Sequence, residues 1–389
     1  MTEVFLCAHR RTPFGRYGGA LAMVRPDDLA ARVIDGLLDL HDLPVDEVIF
    51  GCANQAGEDN RNVARMSVLL SRLGPGVPAL TVNRLCASGL DAVIAGARVI
   101  RDGAADVVIA GGVESMSRAP FVMPKAEAAF ARSPEIHDTT IGWRFVNPAL
   151  RFGTESMPET AENIAADHRV SRADQDSFAL RSQLRFDAVW HGSDILPVTV
   201  PGKTGDAVVR GDEHPRATTF DRLAALPAPF RAHGTVTAGN ASGINDGAAA
   251  VLLASAKAVR AHGLQPLARI GQAASGGVLP RVMGLGPVEA LARLTARTGL
   301  TAQDFDVIEV NEAFAAQVLA CTRVWRLADD AAHVNAYGGA IALGHPLGAS
   351  GARIAGTAAR RLAETGGARA LVTLCVGVGQ GVALTLEAV

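Results

Sequence analysis

The chain has 389 residues, 49% of them hydrophobic and 20% charged, and a formal net charge of −2. That length exceeds one ordinary core and points to two or three domains. Near-neutral charge gives no footing for general nucleic-acid binding, and no apolar run approaches the roughly 18 residues of a membrane span.

Along the chain, β-prone runs occur at residues 3–8, 47–50, 106–110, 250–254, 306–310, 370–374 and 382–386. Ala/Leu/Arg segments of helical length, such as 27–39 and 350–364, lie between several of them. The alternation predicts an α/β fold of βαβ units with a largely parallel sheet in each domain. Residues 119–237 differ, being richer in Pro, charge and aromatics. They read as an insertion from the first α/β half, with a helix over 173–186 capped by Ser171. The five cysteines, at 7, 52, 86, 321 and 375, are scattered, with no Cys-x-x-Cys pair to suggest zinc. Free thiols and a start without a basic leader lead us to expect the cytoplasm. Cys7, Cys52 and Cys321 read as small buried hydrophobes.

Two segments echo each other. Val82-Asn83, Ser88-Gly89, Ala95-Gly96 and Arg98, then a Gly-rich turn and a strand at 106–108, recur as Val334-Asn335, Ser350-Gly351, Ala355-Gly356 and Arg360 before a strand at 370–371. Both copies read strand, turn, helix, strand. The first turn carries Cys86, and the longer second one carries His345. A duplicated α/β domain would bring the two together near the interface of the halves, where ligand sites commonly form.

Cys86 is the candidate nucleophile; at a helix start its thiolate is expected to be favoured. His345, in a Gly-His-Pro turn, is the natural base, since imidazole titrates near neutrality. Cys375, in the frame CVGVGQG, is a second thiol able to move a proton. Asn311, directly after the strand at 306–310, is placed to hold a water or a carbonyl oxygen.

These residues carry a resemblance to the thiolases that runs from end to end. The matching motifs are RTPFG at 11–15, NRLCASG at 83–89, GGVESMS at 111–117, TAGNASGINDGAA at 237–249, NEAFA at 311–315, GGAIALGHPLG at 338–348 and CVGVGQG at 375–381. Within the family the chain is most similar to the 3-oxoadipyl-CoA thiolases, through residues 50–65, 117–123, 138–145 and 156–162. The resemblance implies two duplicated α/β halves with mixed five-stranded sheets, 1–118 plus 238–266 and 267–389, and a coenzyme A-binding loop domain at 119–237. It implies cleavage of 3-oxoadipyl-CoA by coenzyme A, through an acyl-Cys86 intermediate, to succinyl-CoA and acetyl-CoA. Cys375 would move the proton. His345 with a water on Asn311 would form one oxyanion site, and the N–H groups of Cys86 and Gly377 a second. No metal or cofactor is implied beyond coenzyme A as substrate, and the assembly expected is a homodimer or homotetramer.

Ser242 matches the family's pantetheine-contacting serine, and Arg216 stands where a basic residue often meets the nucleotide end of coenzyme A. Where short-chain thiolases carry a histidine, this chain has Ser156 and Met157, so Met157 is expected to line the acyl pocket. Tyr337, in place of a more usual asparagine, is expected to reshape the polar network behind the site. The segment 184–195 is expected to be less helical than usual. A dicarboxyl substrate asks for a cation at the far end of the pocket; Arg144, Arg151, Arg132 and Lys125 are all candidates that the sequence does not separate, and Arg144 is taken as the working hypothesis. The rival readings are a general 3-ketoacyl-CoA thiolase or acetyl-CoA C-acetyltransferase, a decarboxylating condensing enzyme, and a catalytically silent acyl-CoA-binding protein.

Overall fold

The computed structural model describes residues 2–130, 132–202 and 205–389. Its long strands are β1 (Val4–Arg11), β2 (Glu47–Gly51), β3 (Ala79–Val82), β4 (Val107–Ser115), β5 (Asn245–Ser255), β6 (Ala268–Gly277), β7 (Val307–Val310), β8 (Arg369–Val376) and β9 (Gln380–Glu387). The helices used below are α1 (Pro26–Leu38), α2 (Ser88–Arg101), α3 (Met157–Asp167), α4 (Arg172–Arg185), α5 (Ala315–Val324) and α6 (Leu347–Thr365). No helix among the described residues is long and apolar enough to cross a membrane.

The strands run in the order β7-β8-β9-β6-β1-β5-β4-β2-β3, with the two-residue strand Gly15–Arg16 pairing β5. This is one path traced twice. In the first copy β2 is parallel to β3 and β4, while β4–β5 and β5–β1 are antiparallel. In the second, β7–β8 is parallel, and β8–β9 and β9–β6 are antiparallel. The copies meet through two residue pairs, Phe5–Arg269 and Leu6–Ala268.

Two expectations change. The sheets are mixed, as the resemblance implies, and not largely parallel, as the alternation alone predicts, because β9 follows β8 after a turn of three residues, and so tight a connection can join antiparallel strands alone. The second half has four strands instead of five. Where β3 stands in the first, the second keeps an isolated parallel bridge, Ile308–Val334. The chain cannot extend it, because Asn335 turns into a left-handed conformation at φ 46.

Every residue of β5 is buried, as expected of a strand covered on both faces. One cover is the pair α2 and α6, which shares a core with strands of both halves: Leu90, Val93, Ala355 and Leu362 pack with Val108 and Leu384. The two helices approach at backbone distance. A Cβ on Gly351 would lie 2.1 Å from the Leu90 nitrogen, and one on Gly89 would lie 2.4 Å from the Gly348 oxygen. Glycine is required there because nothing larger fits.

In the insertion, α4 begins one residue before the expected start, with Ser171 and Asp174 forming a reciprocal capping box. The chain leaves the helix at Phe186 and makes a five-residue helix, Ala188–Gly192, in keeping with the lower helicity expected of 184–195. Trp190 from this turn stacks on Tyr337, with ring centroids 4.2 Å apart. The bulk expected of Tyr337 is thus taken up by this stack, and its carbonyl meets His191 Nε2 at 2.8 Å. The polar network behind the site stays closed: Asn335 Nδ2 and Ser182 Oγ donate to the two oxygens of Glu312, at 2.9 and 2.6 Å.

Candidate active site

Cys86 lies in the 3₁₀ turn Leu85–Ala87, directly ahead of α2. The turn is tied from both sides. Asn83 Oδ1 accepts the Leu85 N–H, and Ser88 Oγ accepts the Arg84 N–H while donating to Leu85 O. Arg84 also reaches Gln380 on β9 at 3.0 Å, linking this turn to the other half. Leu85 is held at φ 47, and Val378, just past Gly377, at φ 62. Two left-handed non-glycine residues, one beside each half's contribution, mark backbone whose surroundings over-determine it.

The N–H groups of Gly377 and of Cys86 itself point at the Cys86 sulfur and favour its charge, but burial outweighs them and pushes the thiol up to about 11. The N–H groups at the helix start favour the thiolate, as expected, but in this half-buried position desolvation outweighs them. Cys86 needs a base.

His345 is buried, and burial followed by the Arg353 guanidinium pushes its imidazole down to about 3. Ser350 Oγ donates to Pro346 O at 2.9 Å, so its 2.6 Å contact with His345 Nδ1 is a bond it accepts. Nδ1 thus carries the proton and Nε2 a free lone pair, which faces the Asn311 amide nitrogen at 3.3 Å. Asn245 Oδ1 accepts the His345 backbone N–H, and its own amide donates to Gly15 O. Asn311 Oδ1 is buried without a partner among the described residues, which fits a group that receives a hydrogen bond from a ligand or water.

Cys375, near the end of β8, is buried in an apolar cluster with Met283, Ala313 and Phe314, against which Met157 packs. Burial raises its thiol well above the ordinary value, with the charge of Cys86 as the next cause. The thiol is therefore held in its neutral form. A cavity of about 440 Å³ is lined by Cys86, Gly377, Met157, Trp143, Arg144 and Glu114, among others. His345 and Cys375 do not line it.

Ser242 donates its backbone N–H to Ala313 O at 2.9 Å, next to the Asn311 segment. Arg216 is exposed and donates to Ala238 O at 2.9 Å, four residues before Ser242. Arg132, Arg151 and Lys125 are exposed and away from the cavity, whereas Arg144 forms part of its wall. Cys7, Cys52 and Cys321 are buried, as read from their apolar runs.

Residue-level reading missed Glu114, Ser350, Asn245 and Asn54. Glu114 is buried and raised to about 7, by desolvation above all, yet it accepts the N–H groups of Ala53, Asn54 and Gly348. It thereby pins the start of α6 to the other half. The one signal for it was its place in GGVESMS, where an acid after a strand reads as surface. Ser350 was visible as half of a repeat, with nothing to say that it faces His345.

The family described as "Thiolase, N-terminal domain" matches residues 4–257, and "Thiolase, C-terminal domain" matches residues 264–388. A beta-ketoadipyl-CoA thiolase of Pseudomonas putida is 56% identical over the whole of both chains. A 3-oxoadipyl-CoA/3-oxo-5,6-dehydrosuberyl-CoA thiolase of Escherichia coli K12 is 57% identical, also over the whole of both. The crystal structure of human mitochondrial 3-ketoacyl-CoA thiolase in complex with CoA superposes with a TM-score of 0.90 at 38% identity, covering 100% of this chain and 98% of that one.

Proposed function

Because the chain belongs to the thiolase family, we propose that it cleaves 3-oxoadipyl-CoA with free coenzyme A, giving succinyl-CoA and acetyl-CoA. The observation that carries the chemistry is the sulfur of Cys86 at the wall of a cavity, with two backbone N–H groups aimed at it. Full-length similarity to proteins named for this substrate supports the choice of acyl group.

In the first half-reaction His345 Nε2 takes the thiol proton as Cys86 sulfur attacks the C3 carbonyl carbon. The C2–C3 bond then breaks, its electron pair going to the acetyl-CoA enolate. Cys375 gives that carbon a proton and is left as thiolate. In the second half-reaction Cys375 takes the thiol proton of incoming coenzyme A, whose sulfur attacks the succinyl-Cys86 carbonyl. Cys86 leaves as thiolate and recovers its proton from His345, so all groups return to their starting state. The N–H groups of Cys86 and Gly377 suit the oxyanion of the thioester step, where one such donor is typically worth 10²–10³ in rate. His345, once protonated at Nε2, and Asn311 suit the thioester oxygen of the enolate. The α-carbon is already acidified by its thioester, so this chemistry asks for no cofactor beyond coenzyme A.

Ser242 and Arg216 are assigned to the coenzyme A side on the strength of their places in the family's motifs; Ser242 is tied by its N–H to Ala313 O, and Arg216 donates to Ala238 O. The same reading divides the chain into halves 1–118 plus 238–266 and 267–389, with 119–237 as the coenzyme A-binding loop domain. It places the protein in the cytoplasm as a homodimer or homotetramer. The outer edge of β3, with Leu80 and the nearby Leu69 and Leu70 exposed, is a surface a second copy would cover.

A thiolysis panel tests the function. The expected result is a higher kcat/KM for 3-oxoadipyl-CoA than for 3-oxohexanoyl-CoA, with an acyl-Cys86 adduct seen by mass spectrometry. Equal or reversed preference would support a general 3-ketoacyl-CoA thiolase. Full thiolysis by Cys86→Ser would overturn the mechanism.

A further inference from the structure

Among the described residues, Arg144 is the one basic side chain on the wall of the Cys86 cavity. It has no carboxylate within 4 Å among the described residues, and its single hydrogen bond is to Asn54 Oδ1 at 3.4 Å, a long and weak contact. Most other arginines near the cavity are committed: Arg118 and Arg25 to Glu58, and Arg84 to Asp91. A half-buried guanidinium with nearly all its donors unspent is arranged to receive an anion.

The platform beneath it is built. The Asn54 N–H donates to Glu114 at 2.9 Å, and its side-chain amide donates to Thr139 Oγ1 at 2.9 Å and Thr139 O at 3.2 Å. These bonds fix which face of the amide is oxygen and turn that oxygen toward Arg144. On the other side, Trp143 Nε1 donates to Glu155 O, and the Trp143 ring lies against Gly377, beside the reacting sulfur. Phe145 is held by an edge-on contact with the His137 ring at 4.9 Å. Residues 143–145 thus form an anchored strip that begins at the Cys86 end of the cavity.

We infer that Arg144, oriented by Asn54, pairs with the terminal carboxylate of the acyl group and selects dicarboxyl over monocarboxyl substrates. This deepens the proposed function and rests on it. The remaining acid on the cavity wall, Glu114, is turned away into three backbone N–H groups, so the wall presents net positive charge to the acyl end. Asn54 acts through Arg144 and is a positioning residue.

The test compares kcat/KM for 3-oxoadipyl-CoA and 3-oxohexanoyl-CoA in four proteins. In the unchanged enzyme the first substrate is preferred. Arg144→Ala is expected to lose on the order of 10²-fold on 3-oxoadipyl-CoA, mostly in KM, the scale of losing a charge-assisted pair. Its 3-oxohexanoyl-CoA turnover stays within about twofold. Arg144→Lys keeps part of the preference. Asn54→Asp, which offers Arg144 an internal partner, is expected to shift the ratio in the same direction as Arg144→Ala, an effect that a merely structural asparagine would not have. An Arg144→Ala enzyme that keeps the wild-type ratio overturns the inference and leaves the proposed function standing. A wild-type enzyme without preference overturns the 3-oxoadipyl reading itself, and this inference with it.

Discussion

Cys86 and His345 are each held in the uncharged form, the thiol pushed up to about 11 and the imidazole down to about 3. A resting thiolate–imidazolium pair is therefore disfavoured by both partners, and proton transfer belongs to the attack itself. In the His345→Asn variant, alkylation of Cys86 by iodoacetamide at pH 7.5 is expected to slow at least tenfold. Its rate should then climb about tenfold per pH unit past pH 9, as for an isolated buried thiol. A plateau below pH 8 in that variant would mean that the turn's N–H groups ionise the thiol unaided. Ser350 supports this arrangement by holding the proton on Nδ1, which leaves Nε2 as the basic atom.

At the scale of elements, the site depends on how closely α2 and α6 approach. Cys86 precedes α2, and His345 precedes α6. Their relative position is set where Gly351 meets the Leu90 backbone and Gly89 meets Gly348. A methyl group on Gly351 would stand 2.1 Å from a backbone nitrogen, which no rotamer change can relieve. Gly351→Ala is expected to destabilise by about 2 kcal/mol or more and to lower kcat along with Tm. Gly192→Ala is the control: a Cβ there meets nothing within 4 Å, and Tm should hold or rise slightly because Ala is the better helix former. Equal melting of Gly351→Ala and wild type would show that the helices have room to separate.

For the whole molecule, burial of titrating groups sets a pH dependence. His345, His191 and His214 are lowered by desolvation to about 3, 4 and 4, whereas an unfolded histidine titrates near 6.5. Between those values the unfolded chain binds more protons, so the stability present above pH 6.5 is lost as pH falls. Glu114, raised to about 7, acts oppositely: its folded form keeps a proton the unfolded chain releases near 4.5, so it favours the fold as pH drops from 7. His9, His41 and His333 are lowered in the same direction, while Asp246, Glu309 and other buried carboxylates are raised with Glu114. The histidines outweigh them between pH 7.5 and 5.5, because the unfolded histidine titrates inside that window and the unfolded carboxylate below it. Thermal melts should show a lower Tm at pH 5.5 than at pH 7.5, and a smaller drop in His214→Gln. A Tm that is flat or higher at pH 5.5 would contradict this balance.

Much of the architecture was written locally. The runs at 47–50, 106–110 and 370–374 are dense enough in apolar and β-branched residues to become strands in almost any context, and Ser171 with Asp174 caps its helix without outside help. β6 escaped notice because it is rich in Gly, Ala and Ser, and β3, read as the strand that opens the first repeat, is only a short, half-exposed edge. Their strand state comes from pairing with neighbours. The duplicated turns placed Cys86 and His345 in equivalent positions from sequence alone, and the motifs named their chemistry. Charge state was not legible. Whether a cysteine beside a helix start ionises depends on how much water the other half of the protein removes, and that is a property of packing. The choice of Arg144 over Arg132, Arg151 and Lys125 had the same origin: four cations in one insertion look alike along the chain, and tertiary structure leaves one of them on the cavity wall, without a carboxylate partner among the described residues. The sequence by itself determined most of the elements, the repeat and the candidate groups for the chemistry; the tertiary structure decided their protonation and which cation stands on the cavity wall, because both follow from desolvation and from contacts between residues far apart in the chain.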